Sequence, residues 1–403
     1  MIKVLYIFLD STKSSGVLKK VKSKIKLLNG NGIEAQGIFI NKNILEYHYN
    51  KDEKIAYVPF KVPKTPFFFN RRYIRNFKKK FEYNNWYKHL YKTLDIEVSK
   101  FDFDILLFRY PLSNKYLLRF VKEHSGKVVF EHNSKELIEL SLNPGGKTTD
   151  TYLQEEEYGS KVLKYAKALT GVGKEITTYE VKRSGVSNKP SAVISNSIEV
   201  STLKQRNIPE LNGKDYNLLY LTGSPSPWVG IDIVIRSLAE HQSSNKNVKL
   251  FIVGPKLDSL VKMVNELNLS DRVVFEGEKQ GEELDEYFNR CHIAFGTMAM
   301  QRVGLKEHSS LKILEYASRG MPFIIGYDDT NFVNTPEFSP YYRILNYNGT
   351  SININEVISF ADKLFQDKEH PRLMRELSFK YLDTIVKMNQ LRDFIQSLES
   401  NES

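Results

Sequence analysis

The sequence predicts an α/β protein made of two doubly wound, Rossmann-like parallel-sheet halves in series. Three observations lead there. Through the first half, short buried-type apolar runs alternate with amphipathic segments of helical period, the pattern of a parallel sheet covered on both faces. After a polar stretch, Asn196–Asp215, the same alternation begins again. The 403 residues, 41% hydrophobic and 26% charged, suffice for two or three domains with proper cores.

In order, Ile2–Leu9 reads as a buried strand and Leu18–Leu28 as a basic amphipathic helix ended by the glycines of NGNG. Strands follow at Ala35–Ile40, Lys54–Phe60 and Ile105–Arg109, the last after a long basic segment. Tyr116–His124 is helical and Lys127–Glu131 a strand; Asn143–Thr149 is a glycine-bearing polar connection. A helix to about Ala168, the strand Leu169–Val172, a helix at Glu175–Arg183 and the strand Ala192–Ile194 close the first domain, residues 1–196. The second, residues 216–384, alternates strands at Leu218–Thr222, Lys249–Gly254, Arg272–Gly277 and Ile293–Thr297 with helices at Asp232–Glu240, Leu257–Leu267 and Glu282–Asn289. After Pro322–Gly326 and Tyr342–Leu345, three helices end the chain, and the last, about 385–403, is expected to cross back to the first domain. The two sheets should face each other across a cleft at their carboxyl ends, where doubly wound folds bind ligands.

Composition narrows the function. No apolar run approaches the 18 residues of a membrane span, the N-terminus reads as a strand rather than a signal peptide, and the single cysteine, Cys291, fits a reducing compartment. A cytoplasmic protein is expected. The net charge of +10 is concentrated: residues 61–92 hold ten Lys and Arg, among them Arg71, Arg72 and Arg75, against one acid, Glu82, with aromatics interleaved. This segment suits an anionic membrane surface, as for a peripheral protein at the inner face of the plasma membrane, or a polyanionic acceptor. It equally reads as a solvated helix with inward aromatics, and nucleic acid is not the expected partner.

The most informative stretch is Met298–Tyr327. A helix opening at Ser309–Ser310 has Leu311, Leu314 and Ala317 as its apolar stripe, Gly320 as its stop and Pro322 beyond it. Glu307 precedes the cap and Glu315 lies inside the helix, about 12 Å apart if the helix ran through both. Free N–H groups at Ser309, Ser310 and Leu311 would make an anion site for a diphosphate. The two carboxylates are acceptors suited to ribose and sugar hydroxyls.

In the order Thr222–Asp232 (TGSPSPWVGID), Leu250–Pro255 (LFIVGP), Arg272–Phe288 and Gly304–Ile324 (GLKEHSSLKILEYASRGMPFI), the second half resembles the donor-binding domain of the retaining GT-B glycosyltransferases of family 4. VVFEHN (Val128–Asn133) and AVISNSIEV (Ala192–Val200) extend the resemblance more loosely into the first half. The resemblance implies a GT-B architecture and a metal-independent, retaining hexosyltransferase without a cofactor. Its donor would be a nucleotide-sugar, a UDP-sugar before a GDP-sugar. Its acceptor would be a hydroxyl of a glycan or lipid-linked molecule in polysaccharide or glycoconjugate synthesis.

Residue by residue, the resemblance makes Glu315 the ribose ligand and Glu307 the residue facing the transferred sugar. Ser309–Leu311 would hold the distal phosphate. Glu278 and Lys279 would lie against the base, and Gly16, Gly223, Trp228, Gly230 and Gly254 would line the donor. His132 would stand near the reacting sugar, with Arg109 a weaker acceptor-side candidate. One departure matters: where the family carries an Arg and a Lys for the diphosphate, this chain has Ser224 and Val229. Arg302 and Lys312 are the expected substitutes, and a polysaccharide-synthesis branch of the family has a similar W-x-G loop and an Arg at the place of Arg302.

No metal is expected: Asp102 and Asp104 precede their strand, Asp328–Asp329 read as loop residues, and zinc spacing is absent. The absence of G-x-G-x-x-G after the first strand disfavours a nicotinamide enzyme. A sugar-nucleotide epimerase and a catalytically silent GT-B-like partner subunit are the alternatives.

Overall fold

The computed structural model describes all residues except 11–14, 61–74, 143–144, 224–225, 242–244, 346–349 and 401–403, and no side chains at 10, 15–17, 19–20 and 75–83. Ser224, Arg71 and Arg72 therefore lie outside the described residues, as do the Arg75 side chain and most of the basic segment. The chain divides into two compact units, 1–194 with 388–403, and 195–387.

The first unit runs β1 (Ile2–Asp10), α1 (Ser15–Leu28), β2 (Ile33–Asn41), β3 (His48–Asn50), β4 (Ile55–Pro59), α2 (Arg75–Val98), β5 (Ile105–Arg109), α3 (Lys115–Glu123) and β6 (Val128–His132). It continues with α4 (Glu136–Leu142), α5 (Asp150–Tyr165), β7 (Ala168–Gly171), α6 (Lys174–Ser184) and β8 (Ser191–Val193). The sheet order is β3-β4-β2-β1-β5-β6-β7-β8, with every pairing parallel except β3 on β4. Successive side chains leave a strand on opposite faces, so β1 feeds two cores. Leu5 and Ile7 join residues of α2, α3 and α5, such as Leu94, Phe120 and Leu163. Val4, Tyr6 and Phe8 join Val21, Ile25 and Leu28 of α1 together with Met388, Leu391, Ile395 and Leu398 near the chain end. Continuous apolar strands are what burial on both faces demands.

Two elements of this unit were not legible in the sequence. β3 is short and largely exposed, and it adds an antiparallel edge. α4, only seven residues, is too short to show a helical period.

The second unit runs β9 (Asp215–Leu221), α7 (Ile231–Glu240), β10 (Asn247–Val253), α8 (Asp258–Glu266), β11 (Val273–Gly277), α9 (Gly281–Arg290), β12 (Ile293–Phe295), β13 (Glu307–His308) and α10 (Leu311–Arg319). β14 (Phe323–Ile325), β15 (Asp328–Asp329), α11 (Thr330–Val333), β16 (Tyr342–Ile344), α12 (Ile354–Leu364), α13 (His370–Tyr381) and α14 (Thr384–Ser400) follow, with α14 running on into the other unit's residues. Its parallel sheet has the order β11-β10-β9-β12-β14-β16. Numbered within the unit this is 3-2-1-4-5-6, the doubly wound order whose direction reverses between β9 and β12. One core cluster covers it, from Tyr216 of β9 to Leu382 beyond α13.

Two details correct the sequence reading. Asp328–Asp329 is not loop: it pairs in parallel with Glu307–His308 as a two-stranded ribbon. α10 begins at Leu311 with Ser310 as its N-cap, as expected, and Glu307, before the cap, lies on β13. Leu311 is also not part of its apolar stripe; it is 48% exposed, and Ile313, Leu314, Tyr316 and Ala317 face the core. Among the described residues no helix is long and apolar enough to cross a membrane.

Candidate functional site

The reversal of strand order between β9 and β12 is the place where a doubly wound sheet leaves a crevice beyond its carboxyl ends. Four segments of the second unit converge there: the turn after β9, the end of β10, the segment after β12 and the start of α10.

Gly254 closes β10 with φ +138°, and a Cβ there would stand 1.8 Å from the Thr222 carbonyl oxygen. No other residue fits, because both the conformation and the space are denied to a side chain. Thr222 itself is buried at the end of β9, and its Oγ1 has no hydrogen-bond partner among the described residues. Gly230, at φ +79°, caps α7 and would place a Cβ within 3.1 Å of Met298 and Ala299. Backbone bonds from Met298 N–H to Val229 O (2.8 Å) and Ala299 N–H to Trp228 O (3.1 Å) clamp the W-x-G loop onto the segment after β12. Trp228 is half-buried and Val229 buried, whereas Gly223 is exposed with open space at its Cβ position.

Arg302 lies on the 3-10 turn Met300–Val303. Its guanidinium forks onto Asp232, Nη1 to Oδ1 at 2.9 Å and Nη2 to Oδ2 at 2.8 Å, and Nη1 also donates to Pro227 O at 2.7 Å. Its charge is thus answered by an acid in the first turn of α7, a partner that nothing in the sequence spacing singled out.

Lys312 is different. It is the second residue of α10, half-buried, and its Nζ lies 5.6 Å from the centre of the Tyr220 ring. Among the described residues it has no carboxylate partner. Burial of the ammonium end holds it down at about 8. Tyr220 donates in turn to Val229 O at 2.5 Å, so one buried tyrosine joins the lysine to the W-x-G loop. Beside them His308 is half-buried, with its Nδ1 enclosed and without a hydrogen-bond partner among the described residues; burial, and then the Lys312 charge, pull it down to about 4.

The turn at Ser309 differs from expectation. Ser309 and Ser310 are buried. The Ser309 hydroxyl accepts from Asn196 N–H and Asn331 Nδ2, and its carbonyl accepts from Asn196 Nδ2. The Ser310 N–H is held by Asp329 Oδ2 at 3.1 Å, and the Ser310 side chain makes no cap bond. Asp329 also accepts from Asn331 N–H and the Tyr327 hydroxyl; burial pushes its carboxyl up to about 6. An internal carboxylate therefore already takes the second of the three N–H groups of the expected anion site. The helix N–H groups without an intrahelical acceptor are those of Leu311, Lys312 and Ile313, two residues further along than Ser309–Leu311 and next to the Lys312 ammonium.

Of the two framing glutamates, Glu315 Oε1 accepts from Arg319 Nε at 2.9 Å, and Arg319 is itself held by Asp285 at 2.6 Å. Its second oxygen has no protein donor among the described residues. Glu307 Oε1 accepts from the Thr330 hydroxyl at 2.8 Å. Beyond β11, Glu278 is exposed and half-buried Lys279 reaches Glu283 at 3.6 Å.

In the first unit, Gly16 is the second residue of α1. Arg109 ends β5 with its guanidinium 5.9 Å from the Phe8 ring. His132 ends β6 but is 1% exposed, its ring centred 4.3 Å from that of Tyr110 and its Nδ1 3.1 Å from Glu136 Oε2. A residue so enclosed does not present its ring to solvent at the sheet edge.

Residues 202–366 match the model of the family Glycosyl transferases group 1. The whole chain is similar to sucrose-phosphate synthase from Thermosynechococcus elongatus, with a TM-score of 0.68, 14% identity and 100% of both chains covered. It is also similar to the lipopolysaccharide outer core galactosyltransferase WaaB (TM-score 0.64, 14% identity, 98% and 99% covered). A third similar structure is Anabaena HepE in complex with UDP (0.62, 13% identity, 98% and 100% covered). The fold is GT-B. The residues that match the group 1 glycosyltransferase model lie in its second unit, and the crevice described above is built from them. No match is found among the curated proteins.

Proposed function

We propose that this chain is a retaining glycosyltransferase that moves a sugar from a nucleoside-diphosphate donor to a hydroxyl of a glycan or lipid-linked acceptor. The observation that carries this is Lys312: a half-buried ammonium without an acidic partner among the described residues, beside the N–H groups at the start of a nine-residue helix at the crevice of the second sheet. A partly desolvated cation without an acidic partner favours an anionic ligand. A diphosphate answers both the charge and the N–H groups.

On this reading the departure at Ser224 and Val229 is compensated mainly by Lys312. Arg302, bound to Asp232, acts by holding the W-x-G loop in place. The unused oxygen of Glu315 accepts from ribose, and Glu307 faces the transferred sugar. As the glycosidic bond to phosphate breaks, negative charge grows on the leaving diphosphate, and the α10 terminus with Lys312 stabilises it where it develops. The leaving phosphate oxygen takes the acceptor's proton as the hydroxyl attacks the same face, so a carboxylate nucleophile is not required. Uridine is the base we favour, in keeping with the UDP in the similar HepE structure. The enzyme would work in polysaccharide or glycoconjugate synthesis at the cytoplasmic side of a membrane, with the basic segment 61–92 as its contact.

The test is isothermal calorimetry and thermal shift with UDP-, GDP- and ADP-sugars, followed by hydrolysis and transfer assays on each binder. Binding of one class with release of the free diphosphate supports the reading. An epimeric sugar nucleotide formed without acceptor makes the chain an epimerase, and no binding at all removes the transferase assignment.

A further inference from the structure

Glu315 is held by a buried arginine. Arg319, in the last turn of α10 and one helical turn beyond Glu315 on the same face, is 6% exposed. Its guanidinium is fixed on three sides. Nε donates to Glu315 Oε1 at 2.9 Å. Nη1 donates to Asp285 Oδ1 at 2.6 Å and to Lys204 O at 3.5 Å, and the carbon at its centre lies 4.5 Å from the centre of the Phe288 ring. Asp285 and Phe288 both belong to α9. Lys204 Nζ, 3.4 Å from Asp285 Oδ2, attends that acid's other oxygen. Phe288 in turn meets Tyr316 edge to face at 6.1 Å, and the Tyr316 hydroxyl donates to Phe295 O and accepts from the Leu221 N–H.

An ion pair at this helical spacing is ordinarily solvated and mobile, and contributes little. Here the neighbours set the arginine, and the arginine sets the carboxylate. A guanidinium can do this because its N–H groups point in fixed, divergent directions, so one cation serves two acids from two sides. Glu315 is left with one engaged oxygen and one without a protein donor among the described residues, on a side chain 24% exposed. A glutamate with no such anchor would lose its rotamer freedom when a ligand binds. An anchored one has already lost it, which favours binding.

We propose that Arg319 is a positioning residue for the donor: with Asp285 it fixes Glu315 in the rotamer that accepts a ribose hydroxyl, so that discrimination between ribose and deoxyribose depends on it. This rests on the reading of Glu315 as the ribose ligand. Because α9 follows the Glu278–Lys279 turn, the same contact ties the ribose carboxylate to the segment proposed for the base.

The test is calorimetric Kd for UDP, 2′-deoxy-UDP and 3′-deoxy-UDP on the full-length wild type, Arg319→Met and Arg319→Lys, with circular dichroism to check folding. If the sugar-nucleotide panel selects another base, its diphosphates replace those of uridine. Wild type should prefer UDP to at least one deoxy analogue by about 10- to 100-fold, the loss of one hydrogen bond to a charged group. In Arg319→Met the Kd of UDP should rise to within about threefold of that analogue's, whose own Kd should move little because it never used the bond. A merely structural arginine would shift all three Kd values together and leave their ratio unchanged. Arg319→Lys keeps the charge and loses the fork, so it should lose the preference too, and it decides where Arg319→Met does not fold. A preference that survives in a folded variant overturns the role of Arg319 and leaves Glu315 as the ribose ligand. A wild type without any preference removes that reading of Glu315, and the proposal with it.

Discussion

Replacing Lys312 by Met keeps the length of the side chain and removes the charge, which makes it the sharpest probe of the crevice. In the free protein the lysine is held at about 8, against an ordinary 10.5, by burial of its ammonium. That depression corresponds to roughly 3 kcal/mol at neutral pH, at about 1.4 kcal/mol per pH unit. The sign follows. The unfolded chain binds the proton up to about 10.5 and the folded chain only to about 8, so stability is lowest below pH 8 and rises through that window. Lys312→Met should therefore raise the midpoint of unfolding at pH 7. Donor binding should move the opposite way. A charge-assisted bond to a phosphate contributes about 2–3 kcal/mol, so calorimetric Kd for the nucleoside diphosphate should rise roughly 30- to 150-fold. In wild type, Kd should be flat below pH 8 and weaken about tenfold per unit above it, because binding then requires proton uptake. The variant should lose this dependence. A Kd within about threefold of wild type, or the same pH profile in both proteins, would refute the role given to Lys312.

Other outcomes follow from the same geometry. If Arg302 holds the loop through Asp232, then Arg302→Ala and Asp232→Asn should weaken diphosphate binding alike, by several-fold at most, since the pair is partly exposed; intact affinity and turnover in Arg302→Ala would remove Arg302 from the site. Gly254→Ala, with its Cβ forced onto Thr222 O, should cost about 2–4 kcal/mol in urea denaturation. Asp329 titrates near 6 in the fold and near 3.8 when unfolded, so the folded chain binds more protons between those values and stability falls as pH rises through them. Asp329→Asn should flatten that slope in melts run from about pH 4 to about pH 7.

The alternation of strands and helices, and the restart after Asn196, could be read from the chain because a doubly wound sheet writes its pattern in contiguous segments. Apolar runs such as Ile105–Arg109 pack against helices on both faces, and any register reveals that. The α10 region was legible for the same reason, down to its stop at Gly320. The elements that escaped were those whose signal is short or shared between distant residues: β3 at a sheet edge, α4 with two turns, and the β13–β15 ribbon formed by two residues from each side.

What the chain alone settled was thus the periodic part and the class of fold. Which groups are engaged was settled only by folding. Asp329 takes the Ser310 N–H across 19 residues of sequence, Asp232 takes Arg302 across 70, and His132 is enclosed by Tyr110 and Glu136. Each outcome is a competition among nearby donors and acceptors for partners and for water. Distances in space decide that competition, and a linear sequence does not carry them.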